Sequence, residues 1–181
     1  MTPKEIDQAI YNTAIKQGFN PIAAKFIIGQ ARFESADYTS FVFRLNNNTS
    51  GIKYIGQPHA QKGTLSPEGD YYAKFDTIQD AINDKIVRLY NINMRGVTPK
   101  QLKDSTNADD FARLLKQRGY YGNTAYGTLQ AEKDIANYAN GINAKIKKLG
   151  TFFFENKNKT LIIGITIIGL ILLIKYYKKK K

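Results

Sequence analysis

Residues 160–174 read TLIIGITIIGLILLI, fifteen positions without a charge between Lys159 and Lys175, and they set a lipid-compatible segment apart from the polar, longer stretch of chain that precedes them. At about 1.5 Å per residue a helix of this length reaches about 22 Å, short of the roughly 30 Å of a bilayer core. Lys159 and Lys175 can snorkel, Tyr176 and Tyr177 suit a headgroup interface, and Phe152, Phe153 and Phe154 extend the apolar stretch on the other side. The run is apolar all round, and without a polar face it does not read as a helix of a soluble core. The expected organisation is a folded domain over residues 1–150, a polar spacer over 151–159, one transmembrane helix over 160–177 in contact with a lipid bilayer, and a basic tail over 178–181. The positive-inside rule sets the terminal KYYKKKK on the cytoplasmic side, or against anionic headgroups of any membrane, and lysines on both flanks leave the orientation open.

The same division accounts for the charge, which is +12 overall. Residues 1–144 carry 17 Lys and Arg against 14 Asp and Glu, whereas residues 145–181 carry 10 Lys against Glu155 alone. The excess belongs to the tail, where lysines beside a lipid-length run point to a membrane surface, and no nucleic acid partner is expected. The chain has no cysteine and one histidine, His59, so neither disulfides nor a zinc constellation is expected. Gly51, Gly56, Gly63 and Gly69 lack the strand, turn and helix context of a phosphate loop, and no cofactor is expected. The opening residues Met1-Thr2-Pro3-Lys4-Glu5-Ile6-Asp7 read as a charged helix start and lack the apolar core of a secretory signal.

Helix punctuation is legible along the first 150 positions. Thr2-Pro3-Lys4-Glu5 is a reciprocal capping signal, Ile6, Ile10 and Ala14 repeat on one face, and Gly18 ends the helix. A second helix opens at Asn20-Pro21, with Ala23, Ile27, Gln30 and Glu34 on one stripe, and the Asn- and Ser-rich residues 35–51 read as loop. Short runs at Ile52-Lys53-Tyr54-Ile55 and Tyr71-Tyr72-Ala73-Lys74-Phe75, separated by Gly, Pro and Ser, predict a small hairpin. Helices resume at Thr77-Ile78-Gln79-Asp80, with a face of Ile78, Ile82, Ile86 and Leu89, and then at Thr98-Pro99, over residues 107–118, and from 128 to about 148. The fold class is mainly α, an α+β arrangement of a helical lobe with a small β-hairpin lobe.

Glu34 continues the apolar face of the second helix rather than its solvated one. A carboxyl held there is partly desolvated, and burial disfavours the charged form, which suits a general acid that must keep its proton near neutral pH. Periodicity equally allows an ordinary glutamate paired with Arg32 or Arg44. Ala31-Arg32-Phe33-Glu34-Ser35 followed by Asn46-Asn47-Asn48-Thr49-Ser50-Gly51-Ile52-Lys53 resembles the glucosaminidase family of peptidoglycan hydrolases, glycoside hydrolase family 73, in which a helix ends in A-x-x-E-S and an N-N-x-x-G-I-K loop follows. Tyr72-Ala73-Lys74-Phe75-Asp76-Thr77 is similar to that family's aromatic stretch. Leu114-Leu115-Lys116-Gln117-Arg118-Gly119-Tyr120, with Ala125-Tyr126 after it, resembles its G-Y-A-T-D-P-x-Y-A region. The likeness covers roughly residues 3–147. It departs where Ala73 replaces the usual Arg and Tyr121-Gly122-Asn123 replaces Ala-Thr-Asp.

The resemblance implies a lysozyme-like fold, peptidoglycan as partner, and cleavage of a β-1,4 bond between amino sugars with Glu34 as the acid. N-acetylglucosaminidase, muramidase and lytic transglycosylase all stay open. Glycosidase chemistry asks for a second carboxylate or for the substrate's own acetamido group, and Glu68 and Asp70, in the turn Ser66-Pro67-Glu68-Gly69-Asp70, are the candidates. Tyr120 is expected to hydrogen-bond near the reacting sugar, and Asn48, Gly51, Lys53 and Tyr72 to shape or contact the glycan groove. The alternative is a catalytically inactive wall-binding or virion membrane protein that kept the fold. A wall-cleaving domain on a membrane anchor suits a lipid-containing phage particle, and failing that a bacterial cell envelope.

Overall fold

The computed structural model of the protein describes residues 1–149. The expected spacer, transmembrane helix and basic tail lie outside the described residues, and among the described residues no helix is long and apolar enough to cross a membrane. Helix α1, Pro3–Lys16, starts with the predicted reciprocal cap: the Thr2 hydroxyl accepts from the Glu5 amide and the Glu5 carboxylate accepts from the Thr2 amide at 2.7 Å. Helix α2, Pro21–Glu34, is opened by Asn20, whose side-chain oxygen accepts from the amides of Ile22 and Ala23.

By local propensity α2 is a poor helix. Its β-branched Ile22, Ile27 and Ile28 and its Gly29 each cost about 0.4–1 kcal/mol relative to alanine. Full burial of Ile27 and Ile28 contributes roughly 1.5–3 kcal/mol apiece, so packing decides the outcome. The helix runs through the centre of the domain, against α1 on one side and against α5 (Pro99–Lys103) and α6 (Ala108–Gln117) on the others. Phe26 meets Phe111 with ring centroids 5.7 Å apart, and Tyr90 extends this aromatic layer.

The 35–51 segment is not all loop. Ser40 caps a short helix α3, Phe41–Asn46, by accepting from the Phe43 amide, because the five residues after it are a helix-compatible run hidden among Asn and Ser. The hairpin also has a different partner from the one expected. Strand β2, Tyr71–Phe75, pairs antiparallel with β1, Ala60–Leu65, while the Ile52-Lys53-Tyr54 segment lies along the other edge of β2 through a single Lys53–Tyr72 bridge. The Ala73 amide gives to the Ile52 carbonyl and the Tyr54 amide to that of Tyr71. The weakly apolar β1 is chosen because Gly63 admits the Asn46 amide group, which bonds the Thr64 hydroxyl at 2.7 Å and would lie 2.5 Å from any Cβ at position 63.

Thr77 and Asp80 cap α4, Ile78–Asn83, as the sequence predicts, but the helix then widens into a π turn, Asp84–Arg88, and tightens into a 3₁₀ turn, Leu89–Asn91. The expected face is therefore interrupted; Ile82 and Ile86 remain buried. Helix α7, Leu129–Lys147, crosses α2 so closely that a Cβ at Gly29 would stand 2.8 Å from the Ile142 carbonyl oxygen. Replacing Gly29 with alanine forces the two backbones apart, and overpacking of this kind costs about 1–3 kcal/mol. Urea melts of Gly29→Ala should show a loss of that size.

Candidate active site

A cleft of about 750 Å³ runs beside the end of α2. The hairpin side contributes Lys53, Glu68 and Tyr72, the helical side Leu89, Met94 and Tyr120, and Glu34 lies between them. As the last residue of α2, Glu34 has its position fixed by the most deeply buried helix of the domain, and its side chain is 14% exposed.

Three donors converge on this carboxyl. Oε1 accepts from the Tyr138 hydroxyl and from Gln30 Nε2 at 3.2 Å, and Oε2 accepts from the Tyr120 hydroxyl at 3.3 Å. Burial, followed by the neighbouring charge of Glu34, pushes both tyrosines well above the usual phenol range, so they stay protonated donors. Its cationic partner is Lys85 rather than Arg32 or Arg44: the ammonium, 2% exposed, stands 3.5 Å from Oε2 and donates to Ser50 Oγ at 2.6 Å. Arg32 is engaged elsewhere, by Asp7 at 2.6 Å and by Asp37.

The scaffold behind these donors comes from α7 and the loop before it. Tyr121 stacks on Tyr138 at 3.9 Å with the rings nearly parallel. Lys116, almost fully buried, ties that loop to α7 by donating to Thr124 Oγ1 at 2.7 Å and pairing with Asp134 at 3.0 Å. The Tyr121 that departs from the family pattern therefore has a partner. Arg118 fixes the rim of the cleft by donating to the carbonyls of Leu89 and Ile92.

On the hairpin side, the Lys53 ammonium pairs with Glu68 at 2.8 Å and lies 4.4 Å from the centre of the Tyr72 ring. The Lys53 hydrogen bond holds the Glu68 carboxyl down to about 2, so it is ionised under any ordinary condition. Asp70 lines the same wall, and its carbonyl closes the turn by accepting from the Ser66 amide. Gly51, at φ +59°, lines the cleft. Asn48 does not offer its amide to a ligand: it is 1% exposed and spends that group on the carbonyls of Ile52 and Ala73 and the amides of Ser50 and Ile52, which shapes the loop from behind. Among the described residues no group of three His, Asp or Glu side chains gathers tightly enough to hold a metal ion.

Sequence reasoning missed Tyr138, Gln30 as a carboxyl donor, and Lys85. Tyr138 carries a signal, since Ala131, Ile135, Tyr138 and Ile142 fall on one buried face of α7. Immediately past Glu34 the chain makes an unusual turn in which Ala36, Asp37 and Tyr38 all have positive φ, 51°, 55° and 65°. Each such residue with a Cβ costs roughly 1–2 kcal/mol. Side chains hold the turn: Ser35 Oγ accepts from the Tyr38 amide, Lys145 and Arg32 grip Asp37, and the Tyr38 hydroxyl donates to Asp7 at 2.8 Å.

A glucosaminidase family model, described as mannosyl-glycoprotein endo-beta-N-acetylglucosaminidase, matches residues 9–151. No curated protein matches the sequence. Among solved structures the chain is similar to one from a type VI secretion system effector–immunity complex of Pseudomonas protegens, at 16% identity over 80% of this chain and 91% of that one, with a TM-score of 0.51. It also matches the glycoside hydrolase domain of FlgJ from Salmonella typhimurium, at 16% identity over 88% and 99% of the two chains, TM-score 0.49. A third match is the catalytic domain of the autolysin Auto from Listeria monocytogenes, at 18% identity over 78% and 84%, TM-score 0.45. The first of these likenesses supports the fold.

The left-handed turn can be probed apart from any chemistry. Ala36 is exposed, and glycine relieves its φ while adding freedom to the unfolded chain, so Ala36→Gly should raise stability by a few tenths to about 1 kcal/mol in a denaturant melt.

Proposed function

We propose that this chain, which belongs to the glucosaminidase family and is a glycoside hydrolase, cuts the β-1,4 glycan strand of peptidoglycan with Glu34 as the proton donor. The observation that carries this reading is the placement of Glu34: a carboxyl 14% exposed, at the wall of a cleft, oriented by Tyr138, Gln30 and Tyr120. An ordinary structural glutamate has no need of three orienting donors facing a groove. General acid catalysis also needs its group held to a fixed geometry against the leaving oxygen.

Glu68 is the partner carboxylate in this reading. Being ionised, it can take a proton from water or face a developing positive charge at the anomeric carbon, and it cannot serve as the acid. The division of labour follows from environment, one carboxyl enclosed and the other exposed beside a lysine. Tyr72 and Gly51 form the sugar-facing surface between them. The segment 160–177 is proposed to tether the domain to a lipid bilayer, on the strength of the uncharged run at 160–174.

Glu34→Gln keeps the size and loses the proton. Release of soluble fragments from purified sacculi should fall by about 10²–10⁴-fold. Undiminished release by a folded Glu34→Gln protein would overturn the assignment. Mass spectrometry of the wild-type products distinguishes hydrolysis from transglycosylation, because only the latter leaves a 1,6-anhydro end lighter by one water. Lys53 holds the Glu68 carboxyl low, so its removal lets Glu68 take up a proton at higher pH. The acid-side fall of the pH–rate profile should therefore move upward in Lys53→Met, with the alkaline side in place.

A further inference from the structure

Behind the proposed acid stands a cation that the reading above leaves unused. Lys85 belongs to the π turn after α4, and such single-turn widenings inside a helix recur at functional sites. Its ammonium is 3.5 Å from Glu34 Oε2 and 2.6 Å from Ser50 Oγ, and it lies 5.9 and 5.7 Å from the ring centres of Tyr90 and Tyr120. The groups facing this pair come from every neighbouring element. They are Gln30 from α2, Tyr138 from α7, Tyr120 from the loop after α6, Tyr90 from the 3₁₀ turn and Ser50 from the loop before the hairpin. Lys53, Glu68 and Asp70 stand on the hairpin wall of the cleft, and Arg118 lies 5.9 Å from the Tyr90 ring. Among the described residues, Glu34 is the one acidic group within ion-pair distance of Lys85.

A lysine in this position is expensive for the fold. Burial pulls it down to about 8 from 10.5, while the attraction of Glu34 acts in the opposite direction. Since the folded value is below the unfolded one, unfolding takes up protons between those two pH values. Stability from this group therefore rises with pH across that window and is at its lowest at neutral pH, where the buried ammonium persists. An apolar side chain of similar length would fill the space without that cost.

We infer that Lys85 is a positioning residue for the proton donor, its ammonium stabilising the carboxylate that Glu34 becomes as the proton leaves. The inference rests on the reading of Glu34 as the acid. In the cleavage step the proton on Glu34 passes to the glycosidic oxygen, the bond from the anomeric carbon to that oxygen breaks with its electron pair going to oxygen, and Glu34 is left as an anion beside Lys85. Negative charge grows on Glu34 toward the transition state, so the attraction is stronger there than in the ground state, the condition for lowering a barrier. Lys85 thus gives a faster acid without touching the sugar.

The test is the rate of fragment release by the full chain from purified sacculi, over a range of sacculus concentrations, for wild type, Lys85→Met, Lys85→Gln and Lys85→Arg, with folding checked by circular dichroism melts. The two neutral variants should lose about tenfold or more in the rate at saturating sacculi with half-saturation unchanged, because the charge acts on the transition state, and Lys85→Arg, which keeps the charge, should recover most of that rate. A folded neutral variant that keeps the wild-type saturating rate would overturn the inference, as would failure of both neutral variants to fold, which would make Lys85 a structural ion-pair partner. Glu34→Gln distinguishes the underlying reading: activity in that variant removes the acid itself, whereas an inactive Glu34→Gln with an undiminished Lys85→Met removes only the role of the lysine.

Discussion

Where α7 crosses α2, two positions without side chains, Gly29 and Gly141, let the helices approach until backbone nearly touches backbone and the Phe33 ring fills the space over Gly141. Much of the site depends on that approach. It brings Tyr138 within hydrogen-bonding distance of Glu34, sets the Phe33 ring edge-on against Tyr138 at 5.7 Å, and offers Tyr121 a flat surface on which to stack. The loop carrying Tyr120 is in turn held by Lys116 and Asp134, one of them on α7. A change of a single methyl group at the crossing therefore acts on a carboxyl that the methyl never contacts.

Two lysines pair with two carboxyls, and the medium makes the pairs differ. Lys53 and Glu68 are 35% and 63% exposed, so their attraction is screened by salt and weak as a source of stability. Lys85 and Glu34, at 2% and 14%, interact in a medium that screens far less. The domain thus holds one carboxyl whose environment follows the ionic strength of the solution and another shielded from it.

Much of the scaffold is visible in the sequence because caps are local. Thr2 with Glu5, Asn20 before Pro21, Thr77 with Asp80 and Thr98 with Gln101 each satisfy orphan amides within three residues, and a pattern that short is complete within the sequence itself. Glu34 and Tyr120 were legible through a periodic stripe and through motif likeness. The donors Tyr138, Gln30 and Lys85 were not, because their roles depend on which helices cross and on a π turn that breaks the 3.6-residue period just where Lys85 sits. Strand pairing was misassigned for a related reason: β1 is selected by Asn46 reaching Gly63 from another element, a contact between positions 17 apart that no alternation of apolar residues announces.

The hairpin is a sheet of two strands, below the size at which a sheet is stable by itself, and it is joined to the helical body through α3 and the loop organised by Asn48. Glu68 stands in the turn between its strands, while Glu34 ends the buried central helix. In the proposed reading the gap between those two carboxyls decides whether a water fits between them, and hence whether the sugar emerges with its anomeric configuration kept or reversed. Whatever shifts the hairpin against the helical body therefore shifts that gap, and the Asn48 hydrogen bonds to the carbonyls of Ile52 and Ala73 lie on the connection between them.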